Sequence, residues 1–465
     1  MRAPDGAKTP KACSVAEIED RLLRDIENGH CPPGSRLPSI REYARSEGAS
    51  RYAVVEAYDR LVARGAAVSR PGSGFYVAQM RKRVAPAKRE DRVYGVAWLI
   101  RDVLESTDDT LKAGGPWLPD SWLDVETIQS VVRSLGRGPA SHLIRYGTPK
   151  GYPPLRESIQ LMLAEAGIEA DAEQILLTNG TSHALDIIVR HLVRRGDTVL
   201  VEDPGYYNLF GYLRLCGAKL VGVPRRADGP DLDALRTLVE RHRPKLFFLQ
   251  TVLQNPTASD ITAHGMHRIL QLASEFDFTV VEDDTYGDIS NSPSPRLATL
   301  DQLDRVIYVR SFSKTLSGAI RVGLIAAGPQ MTEELTNVKV LSSITTSQFN
   351  EKFIHRMLME GHYRKYLDRV RRRLIQSRAT ATQILERAGL EIFIQPEGGN
   401  FLWARYPGIE DSVGVAAAAR KQNIILAGGA VFRPNLEPSP YMRFNVTMCD
   451  DPRLERFLTR YRKSL

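Results

Sequence analysis

The stretch Arg305-Val-Ile-Tyr-Val-Arg310-Ser-Phe-Ser-Lys314 decides the fold of most of this chain. It is an apolar run of strand length that passes directly into hydroxyl side chains and a lysine. Runs of the same kind occur at 174–178, 198–202, 245–250 and 278–282, and helix-length segments separate them. Continuous apolar strands that alternate with helices predict a mainly parallel α/β sheet. Ligands bind beyond the carboxyl ends of such strands, so we expect the polar residues there to form one site.

The polar residues that follow these strands offer several kinds of chemical group. A Gly180-Thr-Ser182 turn before a helix presents backbone amides to a phosphate. An aromatic side chain such as Tyr206 can stack on a flat ring, an Asp can hold a protonated pyridine nitrogen, and Asn and Tyr can bind a phenolate. A partly deprotonated Lys can form a Schiff base, and an Arg can clamp an amino-acid carboxylate. Each signal is weak alone, but together they describe a site for pyridoxal 5′-phosphate.

The ordered motifs resemble the fold-type I aminotransferases over about residues 110–465. Asn255-Pro-Thr257, Asp283-x-x-Tyr286, Ser311-Phe-Ser-Lys314 with Arg321, and Arg443 appear in that family's order. The resemblance implies that Lys314 forms an aldimine with the cofactor and that Asp283 pairs with its pyridine nitrogen. Asn255 and Tyr286 would hold the ring oxygen, and Tyr206 would stack on the ring. Catalytic roles therefore fall to Lys314, Asp283 and Tyr286.

The same resemblance implies roles for residues at the edge of the site. The phosphate would be bound by Gly180, Thr181, Ser182, Ser311 and Arg321. Arg443 would bind the carboxylate of an effector. Tyr146 resembles the tyrosine that reaches the phosphate of a neighbouring subunit, which implies a homodimer with shared sites.

The chain departs from the family pattern at three places. Ala258 follows Asn255-Pro-Thr257 where Gly is usual, and Ser317-Gly-Ala-Ile-Arg321 replaces the usual Pro-Gly-Leu-Arg ending. The stretch 115–120 matches only loosely. These departures concern turnover and the substrate side of the site more than cofactor binding.

The first 78 residues hold three short amphipathic segments that begin with helix caps. Ser14 and Ser39 each precede a Glu at the third helical position, which is the capping-box pattern, and Ser50 can cap a third helix. Only Gly48-Ala-Ser50 separates the second and third segments, and such a turn is the helix-turn-helix signature. The second helix of the pair enters the major groove, so its first residues, Arg51 and Tyr52, are candidates for base contacts.

A hairpin pattern follows the third helix. Residues 66–77 predict two short strands around a Pro-Gly-Ser-Gly turn, and a hairpin in this position forms a wing whose tip can touch phosphate or the minor groove. The motifs Arg36-Leu-Pro-Ser-Ile-Arg41, Ser50-Arg51 and Arg70-Pro-Gly-Ser-Gly74 resemble the GntR winged-helix family over residues 14–78. The expected DNA-binding residues are Arg36, Arg41, Ser50, Arg51, Tyr52, Arg70, Gly72, Ser73 and Gly74.

Composition and charge fit two domains of different function. The chain has 465 residues, 43% hydrophobic and 25% charged, which excludes a disordered or collagen-like protein. Residues 1–90 hold 17 Lys/Arg and 11 Asp/Glu, so most of the net charge of +8 lies there. That excess favours nucleic acid as the partner of this part, although a solvated basic segment has the same charge. We expect a winged helix at 1–78, a basic linker at 79–93 and the aminotransferase-like domain at 94–465.

Other features narrow the setting of the protein. No apolar run is long enough to span a bilayer, and the first residues carry no apolar signal region. The four cysteines lie far apart, as expected for reduced thiols in a cytoplasmic protein, and the histidines have no metal-site spacing, so we expect no metal.

A GntR-like winged helix joined to an aminotransferase-like domain resembles the MocR subfamily of bacterial transcriptional regulators. The resemblance implies a regulator of operator DNA that senses an amino compound, or pyridoxal phosphate itself, through the aldimine at Lys314. Two alternatives stay open. One is a working aminotransferase with an accessory DNA-binding domain, because both functions use the same groups. The other is a repressor whose large domain is structural and binds no cofactor.

Overall fold

The computed structural model describes residues 14–27, 30–78, 100–139, 144–291 and 294–464. The chain divides into two compact units, Met1–Glu90 and Asp91–Leu465. The linker predicted at 79–93 and the predicted start of the large domain at 94 lie outside the described residues. Among the residues described, no helix has the length and apolar character that crossing a membrane requires.

The described part of the N-terminal unit is a winged helix-turn-helix, as predicted. Its helices are α1 (Val15–Glu27), α2 (Ile40–Ser46) and α3 (Arg51–Ala63), and its strands are β1 (Ala67–Arg70) and β2 (Gly74–Val77). The predicted caps are present, because Ser14, Ser39 and Ser50 each accept a hydrogen bond from the backbone N–H three residues on. The two strands pair antiparallel in the predicted hairpin.

The core of this unit holds α3 in place. Val54, Ala57 and Leu61 are fully buried, as the helical spacing predicts. Tyr58 is also fully buried, and its hydroxyl donates to the carbonyl of Pro38 at 2.9 Å. Because Pro38 directly precedes the cap of α2, this hydrogen bond ties the two helices of the helix-turn-helix together.

A third extended segment pairs with the wing, and the sequence analysis did not predict it. Residues 35–37 pair with β2, since Leu37 N–H donates to Phe75 and Val77 N–H donates to the carbonyl of Ser35, each at 2.8 Å. The pairing places Arg36 opposite Tyr76. Arg36 therefore belongs to the wing rather than to the recognition helix.

The large unit contains the predicted α/β sheet, with all five predicted strands present. In spatial order its strands are β3 (Ile175–Thr178), β10 (Gly323–Ala326), β9 (Val306–Ser311), β8 (Thr279–Asp283), β7 (Leu246–Leu249), β4 (Thr198–Asp203), β5 (Lys219–Arg226) and β6 (Gly229–Pro230). The five strands from β9 to β5 run parallel, whereas β10 is antiparallel to both of its neighbours. Strand β3 therefore points the same way as the parallel set, and β10 starts at the edge where the others end.

Helices pack against this sheet and continue beyond it. They are α4 (Val125–Gly136), α5 (Pro153–Glu165), α6 (Thr181–Leu192), α7 (Tyr207–Leu215), α8 (Leu232–His242), α9 (Ala263–Phe276), α10 (Leu297–Asp301), α11 (Pro329–Ser343), α12 (Gln348–Met359), α13 (His362–Arg387), α14 (Val413–Arg420) and α15 (Pro452–Arg462). The central strands are buried on both faces, as continuous apolar strands require.

A second sheet near the C-terminus was not predicted. It is antiparallel, with the order β11 (Glu391–Ile392), β12 (Phe401–Arg405), β14 (Tyr441–Asn445) and β13 (Ala427–Gly428). Strand β14 lies between β12 and β13, and Arg443 in its middle pairs with Trp403 on one side and Ala427 on the other. This register directs the buried guanidinium of Arg443 toward the polar residues that follow the strands of the first sheet.

Candidate cofactor site and DNA-binding face

The carboxyl ends of the strands surround a pocket of about 420 Å³. It is lined by Thr181, Ser182, Tyr206, Gln250, Asn255, Asp283, Thr285, Tyr286, Ser311, Ser313, Lys314 and Arg321. Nine of these residues were predicted from the sequence. Two further predicted residues lie beside the pocket, because Gly180 packs against Arg321 and Arg443 donates a hydrogen bond to Asn255.

An anion-binding cup forms where α6 begins. Gly180 precedes the helix with φ +78° and ψ 176°, a conformation that only glycine adopts readily. Arg321 donates to the carbonyl of Asn179 at 2.8 Å and to the hydroxyl of Ser313 at 3.0 Å. The positive end of α6, the hydroxyls and the guanidinium thus converge on one small volume, which suits a phosphate. We call Asn179–Ser182, Ser311, Ser313 and Arg321 the phosphate cup.

Lys314 lines the pocket, and the pKa of its amine is lowered. Burial lowers the pKa of Lys314 to about 7, and the charges of Arg443 and Arg321 act in the same direction, whereas Asp283 opposes them. The Nζ atom lies 5.1 Å from the centre of the Trp117 ring. The lowered pKa makes the neutral amine, which is the nucleophilic form, more abundant near pH 7 than in an exposed lysine.

Asp283 ends β8 and is almost completely buried. Burial raises the pKa of Asp283 to about 7, against the hydrogen bonds that its carboxylate accepts from Thr285. Its other oxygen accepts a hydrogen bond from the Gln250 amide at 3.1 Å. Within the described residues no ion pair neutralises this carboxylate, so a cationic N–H donor from a ligand would complete its surroundings.

Arg443 supplies a buried positive charge beside the pocket. Its guanidinium donates to the carbonyl of Gly114 at 2.7 Å and to the Asn255 side chain at 2.6 Å, and the ring of Phe401 lies 4.5 Å from its central carbon. In the part of the chain that the structure describes, Arg443 has no carboxylate partner. A buried guanidinium that contacts only neutral groups suits an anion such as a carboxylate.

Tyr286, Asn255 and Tyr206 form the remaining predicted walls. Tyr286 is 3% exposed and its ring packs edge-on against Phe401. Asn255 is held by the side-chain oxygen of Gln250, which accepts its backbone N–H at 2.7 Å. Burial raises the pKa of both tyrosines, so both hydroxyls stay protonated and can donate hydrogen bonds.

The residues present fit pyridoxal 5′-phosphate. The phosphate, the pyridine N–H and the aldehyde of that molecule each have a counterpart in the pocket: the cup for the phosphate, Asp283 for the pyridine N–H, and Lys314 for the aldehyde. The strongest sign is the buried carboxylate of Asp283, because burial raises its pKa to about 7 and no ion pair within the described residues neutralises it.

The sequence analysis missed three residues that line the pocket, Gln250, Thr285 and Ser313, and it also missed Trp117, whose ring lies near Lys314. Gln250 follows β7 directly and Thr285 lies two residues beyond β8, so the strand-end rule itself pointed to both. Ser313 lies within the motif Ser311–Lys314, but its hydroxyl, not that of Ser311, contacts Arg321. Ser311 instead donates to the carbonyl of Val322 at 3.3 Å. Trp117 carried no spacing signal, because β14 holds it from 328 residues away through Asn445.

The departures from the family pattern have local consequences. Ala258 adopts φ +58°, the left-handed region where glycine is more at ease. Arg321 still reaches the cup at the end of its altered segment, also with positive φ. Tyr146 is not among the pocket residues; it is 79% exposed on the surface of the large unit.

Most of the predicted DNA-binding residues are exposed on the N-terminal unit, whereas Ser73 and Gly74 are half-buried. Arg51 and Tyr52 stand in the first turn of α3, and Tyr52 is 77% exposed. Ser50 caps that helix through its oxygen, which leaves its hydroxyl proton free for a phosphate. Arg41 is exposed on α2. These side chains extend from a rigid helix pair into solvent, as a major-groove surface requires.

The wing tip is ordered by Tyr76, which the sequence analysis missed. The guanidinium carbon of Arg70 lies 4.3 Å from the centre of the Tyr76 ring, and the Tyr76 hydroxyl lies 2.7 Å from that of Ser73. Gly72 and Gly74 at the turn have positive φ, and the Arg36 side chain lies beside Gly74. The predicted tip residues therefore form one surface with Arg36.

Comparison with protein families identifies both parts of the chain. The family model described as bacterial regulatory proteins, gntR family, matches residues 14–77. The model described as aminotransferase class I and II matches residues 119–460. The two matches coincide with the winged helix and with the unit that holds the pocket.

Individual relatives match most of the length of the chain. The chain is 28% identical to the HTH-type transcriptional regulator YdcR of Escherichia coli, over 92% of this chain and 94% of that protein. It is 30% identical to the "Probable rhizopine catabolism regulatory protein MocR" of Rhizobium meliloti, over 77% of this chain and 74% of that protein. The structure of alpha-aminoadipate aminotransferase from Thermus thermophilus, complexed with N-(5′-phosphopyridoxyl)-L-leucine, aligns with TM-score 0.72 and 27% identity, covering 79% of this chain and 96% of that one.

Proposed function

The chain belongs to the aminotransferase class I and II family and is a GntR-type transcriptional regulator of the MocR kind, and from this premise we propose that its large domain is a pyridoxal phosphate-dependent sensor. Operator DNA is bound by the winged helix. The sensed molecule is an amino compound, or the cofactor itself, which acts at Lys314.

One observation carries the proposal. Lys314, Asp283 and the phosphate cup face the same pocket, and the pKa values of the lysine and the aspartate are both shifted to about 7 in opposite directions. Maintaining a buried amine and a buried carboxylate without ion pairs costs stability, so such groups occur where a ligand supplies the missing partner. A purely structural domain would have no use for that cost.

Each residue of the site has a defined task. The bound cofactor supplies an aldehyde that condenses with primary amines. Lys314 would provide the neutral amine, and Asp283 would accept a hydrogen bond from the pyridine nitrogen. Asn255 and Tyr286 would donate to the ring oxygen. Arg321 and the first turn of α6 would hold the phosphate, and the Tyr206 ring would cover one face. These contacts would orient the aldehyde toward Lys314.

Arg443 selects the effector by its carboxylate. Its guanidinium is held between Gly114 and Asn255, so an incoming carboxylate would meet a donor already in position. Since Asn255 also contacts the cofactor oxygen in this proposal, the effector and the cofactor share one hydrogen-bonded residue. Binding of an effector carboxylate to Arg443 would therefore change the contacts that Asn255 makes with the cofactor.

The functional unit is a homodimer with shared sites. Tyr146 is exposed although it is a large aromatic residue, and Ile144 beside it is 78% exposed. Exposed aromatic and aliphatic side chains close together are typical of an interface. In this dimer Tyr146 donates its hydroxyl to the phosphate in the site of the second copy.

The experiment follows the visible absorption of the purified full-length protein with pyridoxal phosphate while amino compounds are added one at a time. Affinity for an operator selected from a random duplex library is measured in the same mixtures. We expect a band that one compound shifts, together with a change in operator affinity. By linkage the operator must change the affinity for that compound by the same factor.

Each contrary outcome has a distinct meaning. Steady accumulation of a keto acid over many turnovers would favour a working aminotransferase. A protein that shows no band even with added cofactor would have a structural large domain. Effector-dependent operator binding that survives Lys314→Ala would contradict the sensing mechanism.

A further inference from the structure

Lys339 is a fully buried lysine that the proposed function does not use. It lies in α11, and its Nζ donates to the carbonyl of Pro149 at 2.7 Å and to the Thr346 hydroxyl at 3.2 Å. Thr346 in turn donates to the carboxylate of Glu351, which is also buried. Burying an ammonium group costs free energy, so we expect its hydrogen bonds to hold a segment that matters for function.

What these bonds hold is the loop that follows Tyr146. Glu351 accepts the backbone N–H of Tyr152 at 2.9 Å, while Lys339 holds Pro149 in the same loop. The carbonyl of Lys150 accepts a hydrogen bond from Leu177 in β3. Residues 147–152, which follow Tyr146 and which we call the Tyr146 loop, are thus held at Tyr152 by a buried acid and at Pro149 by a buried base.

The end of α11 also contacts the phosphate cup, through His183. The backbone N–H of Asn179 donates to His183 Nδ1 at 3.0 Å, so this nitrogen carries no proton. The proton then resides on Nε2, which lies 3.3 Å from the hydroxyl of Ser343. Burial lowers the pKa of His183, which keeps the ring in this neutral form.

The remaining links close the chain of contacts. Ser343 donates to the carbonyl of Lys339 at 3.1 Å. At the other end, the carbonyl of Asn179 accepts from Arg321, which belongs to the phosphate cup. A continuous series of hydrogen bonds within one protomer therefore connects Arg321 to the carbonyl of Pro149.

We propose that His183, Ser343 and Lys339 are positioning residues that couple the phosphate cup of one protomer to its own Tyr146 loop. This inference rests on the proposed function, in which Tyr146 completes the site of the second copy. A phosphate that engages Arg321 shifts Asn179 and, through His183 and α11, the loop that serves the partner subunit. Occupation of one site thereby raises the affinity of the other.

The prediction is positive cooperativity in cofactor loading. A direct contact from Tyr146 to the partner's phosphate would by itself leave the two sites independent. Coupling within each protomer makes the second binding event tighter, by about fivefold for a modest allosteric link, which corresponds to a Hill coefficient of about 1.4 in a dimer. The value for uncoupled sites is 1.

The test titrates full-length apoprotein with pyridoxal phosphate and follows the visible band, with the dimer verified by sedimentation. Ser343→Ala removes the contact with His183 and should lower the Hill coefficient to 1. Ser342→Ala is the matched control, since Ser342 also donates to the Lys339 carbonyl, at 3.2 Å, and has no contact with His183. It should keep the wild-type coefficient.

Lys339→Met is the second variant, because it frees the Pro149 end of the same chain of contacts. It too should load without cooperativity. A coefficient of 1 in the wild type, an unchanged coefficient in Ser343→Ala, an equal loss in Ser342→Ala, or a monomer at assay concentration would each overturn the coupling. The proposed cofactor function would fail differently, with no band in any variant.

Discussion

The two units of this protein carry their functional residues in opposite environments. In the winged helix those residues are exposed, as Tyr52 is at 77%. In the large unit they are buried, as Asp283 is at 7% and Arg443 at 2%. In the proposed function the first surface meets a macromolecule that lies outside the fold, whereas the second encloses a small ligand within it.

This difference determines how far one substitution reaches. The side chains of Arg41, Arg51 and Tyr52 extend into solvent, so changing one should alter DNA affinity and little else. In the large unit Gln250 holds both Asp283 and Asn255, and Asn255 holds Arg443. A change at one of these positions perturbs several contacts, and its effects should not be additive.

The largest expected effect separates the two units completely. Lys314→Ala removes the amine that captures the cofactor, so the visible band should vanish and retention of the cofactor should fall by about 100-fold or more, roughly 3 kcal/mol. Operator affinity of the cofactor-free protein should stay at the wild-type value. A large drop in that basal affinity would show that the units are not independent.

The next effect belongs to the winged helix. Arg51→Ala should weaken operator binding by about 1–3 kcal/mol if Arg51 makes a bidentate contact with a base. Arg24→Ala is the control, because Arg24 is exposed on α1 and its loss removes the same charge. Equal losses for both variants at matched salt would mean that Arg51 contributes only general electrostatic attraction.

The same contrast explains what the sequence could predict. The winged helix was predicted nearly element by element, because caps, short turns and helical spacing are local signals. Ser39, Ser50 and the hairpin turn each act within four residues. The pairing of residues 35–37 with β2 was missed, since it joins segments about forty residues apart that carry no local pattern.

In the large unit the sequence analysis predicted the central strands and the residues at their ends, but it missed features that depend on distant parts of the chain. Apolar runs located the central strands, and the motifs placed nine pocket residues correctly. The second sheet was missed because its strands have two to five residues and no long apolar run. Trp117 was missed for the related reason that a distant strand, β14, positions it. Long-range contacts of this kind leave no periodicity in the sequence.

Two glycines with positive φ sharpen the comparison. A Cβ at Gly180 would lie 2.8 Å from the Arg321 guanidinium, whereas one at Gly72 on the wing would meet nothing within 4 Å. Gly180→Ala should therefore strain the backbone by about 1–3 kcal/mol and displace Arg321, lowering affinity for pyridoxal phosphate by about tenfold. Gly72→Ala should leave that affinity unchanged. Similar losses from both variants would indicate general destabilisation rather than a damaged cup.

The smallest expected effect is a pH dependence that only the buried site can have. The amine of Lys314 reacts in its neutral form, and with a pKa of about 7 its neutral fraction rises about fivefold from pH 6 to 7 and about twofold from 7 to 8. The initial rate at which the visible band appears should follow this curve and then level off. An exposed lysine would instead gain about tenfold in neutral fraction with each unit up to pH 9. Because the charge of Asp283 raises the pKa of Lys314, Asp283→Asn should move the midpoint to lower pH. A rate that keeps rising tenfold per unit to pH 9 would mean that Lys314 has an ordinary pKa, and the contrast between a buried and an exposed functional site would lose its chemical basis.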